Sequence, residues 1–202
     1  MPSFSYLQND KLIEKKIKIA ITNFNEIKKI IKEENDCSSN LIEKMMISVY
    51  DVLFLWVGDS AIGFPKNVNI NLAYQSFFTE FYSFLIFASK CKNKELEKIT
   101  DKVLYKGTIC RYLGRAKENN NLYIVPIFDE RWSSWSKGRE NSYIKKHFVG
   151  KTTKVICNTR ASFGIDLTSL GFSINGEKEV VYPMIKSDVD EISFCNNGII
   201  DT

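Results

Sequence analysis

Glu177 and Glu179 stand two residues apart in the segment Gly176-Glu177-Lys178-Glu179-Val180-Val181-Tyr182-Pro183. On a strand, residues two apart project to one face. The two carboxylates then lie side by side, with Val180 and Tyr182 on the reverse. Like charges at that spacing repel and raise the pKa of one member, so a purely structural sheet gains little from them. The ordinary alternative is an exposed edge strand with solvated glutamates. Two earlier segments also stand out, Leu104-Tyr105-Lys106-Gly107 and Trp132-Ser133-Ser134-Trp135-Ser136-Lys137. The sole histidine, His147, excludes a three-histidine zinc site. The five cysteines, Cys37, Cys91, Cys110, Cys157 and Cys195, form no Cys-x-x-Cys pair, so zinc-ribbon and thioredoxin arrangements fail.

The elements that must hold these segments fall into two halves. Lys11–Glu34 places Leu12, Ile13, Ile17, Ile21, Phe24, Ile27, Ile30 and Ile31 mostly at three- and four-residue steps, which predicts a helix. Residues 36–40 break it, with Ser39 or Asn40 as the next cap. Leu41–Val57 continues the helical pattern, Gly58–Asn69 reads as a loop, and Asn71–Lys90 reads as an apolar helix whose phenylalanines form core. Strands are expected at Val103–Tyr105, Leu122–Ile127, Lys154–Cys157, Glu179–Tyr182 and Glu191–Phe194, with one helix at Arg139–Val149. The fold class is α+β: one domain over 1–202, helical through residue 100 and strand-rich from 101.

In this order the three segments resemble the arginine–serine–glutamate class of mono-ADP-ribosyltransferases. That family has an aromatic-Arg-Gly strand, a Ser-aromatic-Thr/Ser segment leading into a helix, and a Glu-x-Glu strand. Leu104–Gly107 is similar to the first, Ser134-Trp135-Ser136 to the second and Glu177-Lys178-Glu179-Val180 to the third. Gly164-Ile165-Asp166-Leu167, followed by Phe172, resembles the lead-in to the last strand. The likeness covers roughly residues 100–195 and implies a split β-sheet core.

The resemblance implies breakage of the nicotinamide–ribose bond of NAD, used as a substrate without a metal. Glu179 would hold the nicotinamide ribose hydroxyl and face the oxocarbenium-like charge that develops there. Glu177 would orient or deprotonate the acceptor, with an arginine side chain of a target protein favoured. Ser134 would hydrogen-bond Glu179 or the ribose. The dinucleotide-binding set would be Tyr105, Lys106, Gly107, Ser134, Trp135, Ser136 and Phe148, with Trp135 and Phe148 packed around the nicotinamide. Ser162–Asn175 would present the target, with Phe172 as its contact residue. The family's arginine position holds Lys106, which keeps a charge and loses the bidentate fork; Arg111 and Arg115 are the nearest guanidinium groups. A working variant, a weakened enzyme and a binding domain without turnover all follow from that exchange.

Charge supports a local anionic ligand. The chain of 202 residues has a formal net charge of +4, with a basic middle (residues 100–160, net +8) beside an acidic end (residues 161–202, net −5). Such confinement argues against coating by nucleic acid, as does the lack of a recognisable nucleic-acid motif. Composition is that of an ordinary soluble chain, 44% hydrophobic and 26% charged. The most apolar stretch, Phe77–Ala88, is too short to span a bilayer and includes Glu80. Scattered cysteines suit a reducing compartment, cytoplasmic or reached by delivery into a host cell without a cleaved signal peptide, as for a bacterial effector, toxin or phage-encoded modifier.

Overall fold

The computed structural model describes residues 10–34, 37–61, 68–113, 132–139, 152–158, 163–172, 176, 178–183, 189–196 and 199–201. Glu177, Phe148, His147, Arg115, the expected strand Leu122–Ile127 and the expected helix beyond Arg139 lie outside the described residues. The chain divides into two compact units, Met1–Asp101 and Lys102–Thr202. Four helices precede an open antiparallel sheet, so the α+β expectation holds.

In the first unit, α1 (Asp10–Glu34), α2 (Ser39–Ala61) and α3 (Val68–Ala88) pack through aromatic and branched side chains. Phe24 on α1 is stacked on Phe81 and Phe84, with ring centroids 5.4 Å apart in both pairs. Trp56 on α2 meets Tyr74 and Phe78 edge-on. Offset and edge-to-face arrangements of this kind are the favoured ones. The phenylalanine-rich face of α3 is core as expected: Phe77, Phe78, Phe81 and Phe84 are fully buried. On α2, Ile47 and Phe54 point outward, 56% and 69% exposed.

Several boundaries differ from expectation. The α2 helix runs through Gly58 to Ala61 and α3 begins at Val68, so both ends of the expected loop 58–69 are helical. A single glycine costs a helix only about 1 kcal/mol and does not end this one. Ser38, not Ser39 or Asn40, caps α2: its carbonyl accepts from Leu41 and Ile42, and its hydroxyl accepts from the Leu41 amide at 3.4 Å. A fourth helix, α4 (Lys94–Val103), was not expected, and it takes Val103 out of the predicted strand. Asn93 starts it by accepting from the amides of Glu95 and Leu96, while Glu95 and Glu97 sit where the helix dipole favours acids.

Among the described residues the sheet has eight strands: β1 (Leu104–Tyr105), β2 (Thr108–Leu113), β3 (Trp132–Lys137), β4 (Thr152–Asn158), β5 (Gly164–Asp166), β6 (Glu179–Pro183), β7 (Val189–Asn196) and β8 (Ile199–Asp201). Their order is β1-β5-β6-β3-β2-β4-β7-β8, with every pairing antiparallel. Residues 162–175 are not simply a presenting loop. Gly164–Asp166 is a strand between β1 and β6, followed by a 3₁₀ turn at Thr168–Leu170. Gly164 allows this. A β-carbon there would lie 2.5 Å from Val180 Cγ1 and 2.7 Å from Tyr182 Cδ2, closer than real atoms approach.

Candidate active site

Register decides which candidate side chains share a face. Ser136 on β3 pairs with Glu179 on β6, and Ser134 pairs with Val181 two positions along. Strand alternation therefore puts Ser134, Ser136 and Glu179 on one face of adjacent strands. On β2, Cys110 pairs with Ser136 and joins that face. Ser136 and Glu179 are each 3% exposed, Ser134 is half-buried, and Cys110 and Ile156 form an apolar cluster beside them. A carboxylate buried this deeply is costly unless its neighbours compensate it, and such groups concentrate where chemistry requires them.

The main chain around Glu179 is bonded along both edges. The Lys137 amide donates to the Lys178 carbonyl at 3.1 Å, and the Leu167 amide donates to the Glu179 carbonyl at 3.0 Å. Thr168 Oγ1 donates to the same Glu179 carbonyl at 3.5 Å. Just before Glu179 the chain turns through Gly176 (φ 83°) and Lys178 (φ 51°). A lysine in the left-handed region is uncommon and is held here by the bonds that follow it.

The reverse face holds a different set. Trp135 pairs with Val180, its indole N–H donates to Ser133 Oγ at 2.8 Å, and the Arg111 guanidinium lies 5.9 Å from its ring. Burial lowers the Arg111 pKa, as it must for a desolvated cation. Because Cys110 shares the Glu179 face, the next residue, Arg111, projects away from it. Lys137 and Asp166 also lie on this reverse face and form an ion pair. Asp166 accepts from the Ser169 hydroxyl and, at 3.2 Å, from the Ser169 amide. The Lys137 ammonium lies 5.2 Å from the ring centroid of Tyr105. The Tyr105 pKa is raised, first by burial and then by the Asp166 charge.

Lys106 stands beyond β1, with β5 between that strand and β6. It is exposed, and its ammonium lies 5.4 Å from the Phe163 ring. Gly107 sits where a β-carbon would come within 2.7 Å of the Tyr105 hydroxyl, which donates to the Thr108 carbonyl. Phe172 is half-buried, and its amide donates to the Leu167 carbonyl. The structure thus brings Ser134, Ser136 and Glu179 onto one face, puts Tyr105 and Trp135 on the other, and keeps Lys106 at the β1 side of the sheet. Sequence reasoning quoted Lys137 and Asp166 without joining them. The available signal was slight: an acid between two apolar residues, Ile165 and Leu167, marks a candidate buried carboxylate without naming its partner.

Among the described residues, no group of three His, Cys, Asp or Glu side chains could hold a metal ion. None of the described helices is long and apolar enough to cross a membrane. Searches against family models, curated proteins and solved structures return no match to this chain.

Proposed function

We propose that the protein is an NAD-dependent mono-ADP-ribosyltransferase that transfers ADP-ribose to a protein side chain, an arginine being favoured, and releases nicotinamide. The observation that carries this is the pairing of Ser136 with Glu179, with Ser134 on the same face, around a nearly fully buried carboxylate. Such a carboxylate, fixed before the substrate arrives, stabilises positive charge developing on a ribose without reorganising. Glu179 holds the nicotinamide ribose hydroxyl. Ser134 and Ser136 supply hydroxyl donors that fix its rotamer. Glu177, two residues earlier in the sequence, orients or deprotonates the acceptor. Lys106 meets a phosphate, Phe148 packs on the nicotinamide and Phe172 contacts the target protein. Trp135, facing away from Glu179, is left a packing role. The sheet is read as the family's split core.

The test incubates purified protein with labelled NAD and candidate proteins, wild type against Glu179→Gln. The expected result is nicotinamide release and label transfer by wild type, reduced by about 10²–10³-fold or more in the variant, the loss typical of removing one transition-state stabiliser. No release and no transfer by wild type overturns the proposal. A second reading, a protein-binding relative without turnover, is favoured by Lys106 standing in place of the fork-forming arginine and by Arg111 projecting from the wrong face. Calorimetric titration with NAD separates the two, since absence of binding leaves only the second.

A further inference from the structure

Strand β6, between β5 and β3, is crossed on one face by an ionic contact. In the order β5-β6-β3, strand β6 lies between the other two. Asp166 on β5 pairs with Val180, and Val180 pairs with Trp135 on β3. Lys137, two residues beyond Trp135, extends across β6 and closes an ion pair with Asp166. It passes on the face opposite Glu179, alongside the residues that flank it. The acid end of this pair is 4% exposed and the lysine 25% exposed. Asp166 is itself fixed by two bonds from Ser169, and the Lys137 ammonium also lies over the Tyr105 ring on β1.

We propose that the Lys137–Asp166 pair is a strap that positions Glu179, an inference resting on the catalytic role proposed above for that glutamate. Glu179 begins its strand, directly after a lysine in the left-handed region, where a strand end would otherwise fray. Beyond its ladder pairing with Ser136 and the Thr168 hydroxyl on its carbonyl, three attachments hold this strand end: the Lys137 amide to the Lys178 carbonyl, the Leu167 amide to the Glu179 carbonyl, and the strap. Two of the three involve Lys137. Leu167 follows Asp166 directly, so the ion pair joins Lys137, whose own amide bonds the Lys178 carbonyl, to the residue next to Leu167, whose amide bonds the Glu179 carbonyl. Charge neutralisation at Asp166 releases both edges together. Lys137 and Asp166 are positioning residues: they act on the reaction only through the placement of Glu179.

The experiment compares Lys137→Met, Asp166→Asn, Lys137→Arg and the double variant Lys137→Met with Asp166→Leu. Replacing both members of a buried pair by apolar groups of similar volume usually preserves the fold, so the double variant keeps the comparison within folded protein. The first readout is amide hydrogen exchange over residues 176–183, which needs no activity. The expected result is exchange about tenfold faster in that segment for Lys137→Met, Asp166→Asn and the double variant, with the helices unchanged and Lys137→Arg near wild type. The second readout is NAD cleavage, expected to lose about ten- to a hundredfold in kcat with KM nearly unchanged, as for a misplaced but intact catalytic group. Wild-type protection of 176–183 in the folded double variant overturns the strap. Faster exchange with unchanged kcat, in a protein that does cleave NAD, overturns its role in placing Glu179. If wild type cleaves no NAD, the exchange measurement still decides whether the strap exists, and the catalytic reading fails separately.

Discussion

The buried polar side chains described in the helical unit are neutral, whereas those of the sheet unit include two carboxylates. In the helices Asn23 donates to Ser48, Ser48 donates to the Met45 carbonyl, and Thr100 donates to the Glu97 carbonyl. The first joins α1 to α2 and the other two are local, and all three satisfy small dipoles at little cost. In the sheet, Asp166 requires Lys137 and two bonds from Ser169, and Glu179 is buried opposite Ser136. Desolvating a carboxylate costs far more than desolvating an amide or hydroxyl. The contrast teaches that the helical unit is built for cohesion, while the sheet unit carries a cost that cohesion alone does not require.

That contrast can be broken or sharpened by substitution. The largest effect is expected at Glu179→Gln, which keeps shape and removes charge. Transfer activity should fall as stated above, while thermal stability should change little, because glutamine keeps the volume and shape of the side chain. Lower stability together with undiminished turnover would reverse the roles assigned to the two units. Next comes Phe24→Ala, which leaves a cavity among Phe77, Phe81 and Phe84 and should cost about 3–5 kcal/mol in chemical denaturation. Turnover per folded molecule should not change. If it does, the helices take part in the chemistry.

A smaller effect is expected at Gly164→Ala. The added methyl meets Val180 and Tyr182 and should cost about 1–3 kcal/mol by overpacking, with faster exchange along β6 as the check. Smaller again, and dependent on pH, is Tyr105→Phe. At neutral pH it loses the bond to the Thr108 carbonyl, worth about 1 kcal/mol. The Tyr105 pKa is raised above 10.0 in the folded protein, so folding favours the protonated phenol. That contribution is complete below the unfolded value and is lost as pH rises through the folded one. The difference between wild type and variant should therefore shrink above about pH 10, measured by urea midpoints across an alkaline series. The smallest effect is expected at Phe54→Ser on the outer side of α2, which should change stability by less than about 0.5 kcal/mol.

Much of the helical unit was legible because its signal is redundant. The three-and-four spacing of Ile13, Ile17, Phe24, Ile27 and Ile31 marks the buried side of α1, and each of these residues is buried. The short α4 was missed because ten residues with many charges show few apolar positions, and its capping asparagine is visible only through the bonds it makes. In the sheet, the strand at Glu179 was legible from its β-branched and aromatic run before Pro183, but β2, β3, β5 and β8 were not expected. Nor did spacing alone reveal that Arg111 and Trp135 would back onto the Glu179 face, since that depends on which strands pair and in what register. Asp166 and Lys137 are 29 residues apart, and only topology brings them together.

Both described margins of the sheet are short. The strand at one end, β1, has two residues and the strand at the other, β8, has three. At either outermost strand an incoming segment from another chain would find a ladder of only two or three residues to extend, although β8 covers only Phe194–Asn196 of β7, and at β1 the run is cut off by the end of α4 on one side and by Lys106 and Gly107 on the other. Short, charged edges are a common guard against strand-by-strand aggregation. The abbreviated outermost strands thus leave a neighbouring chain little backbone on which to template.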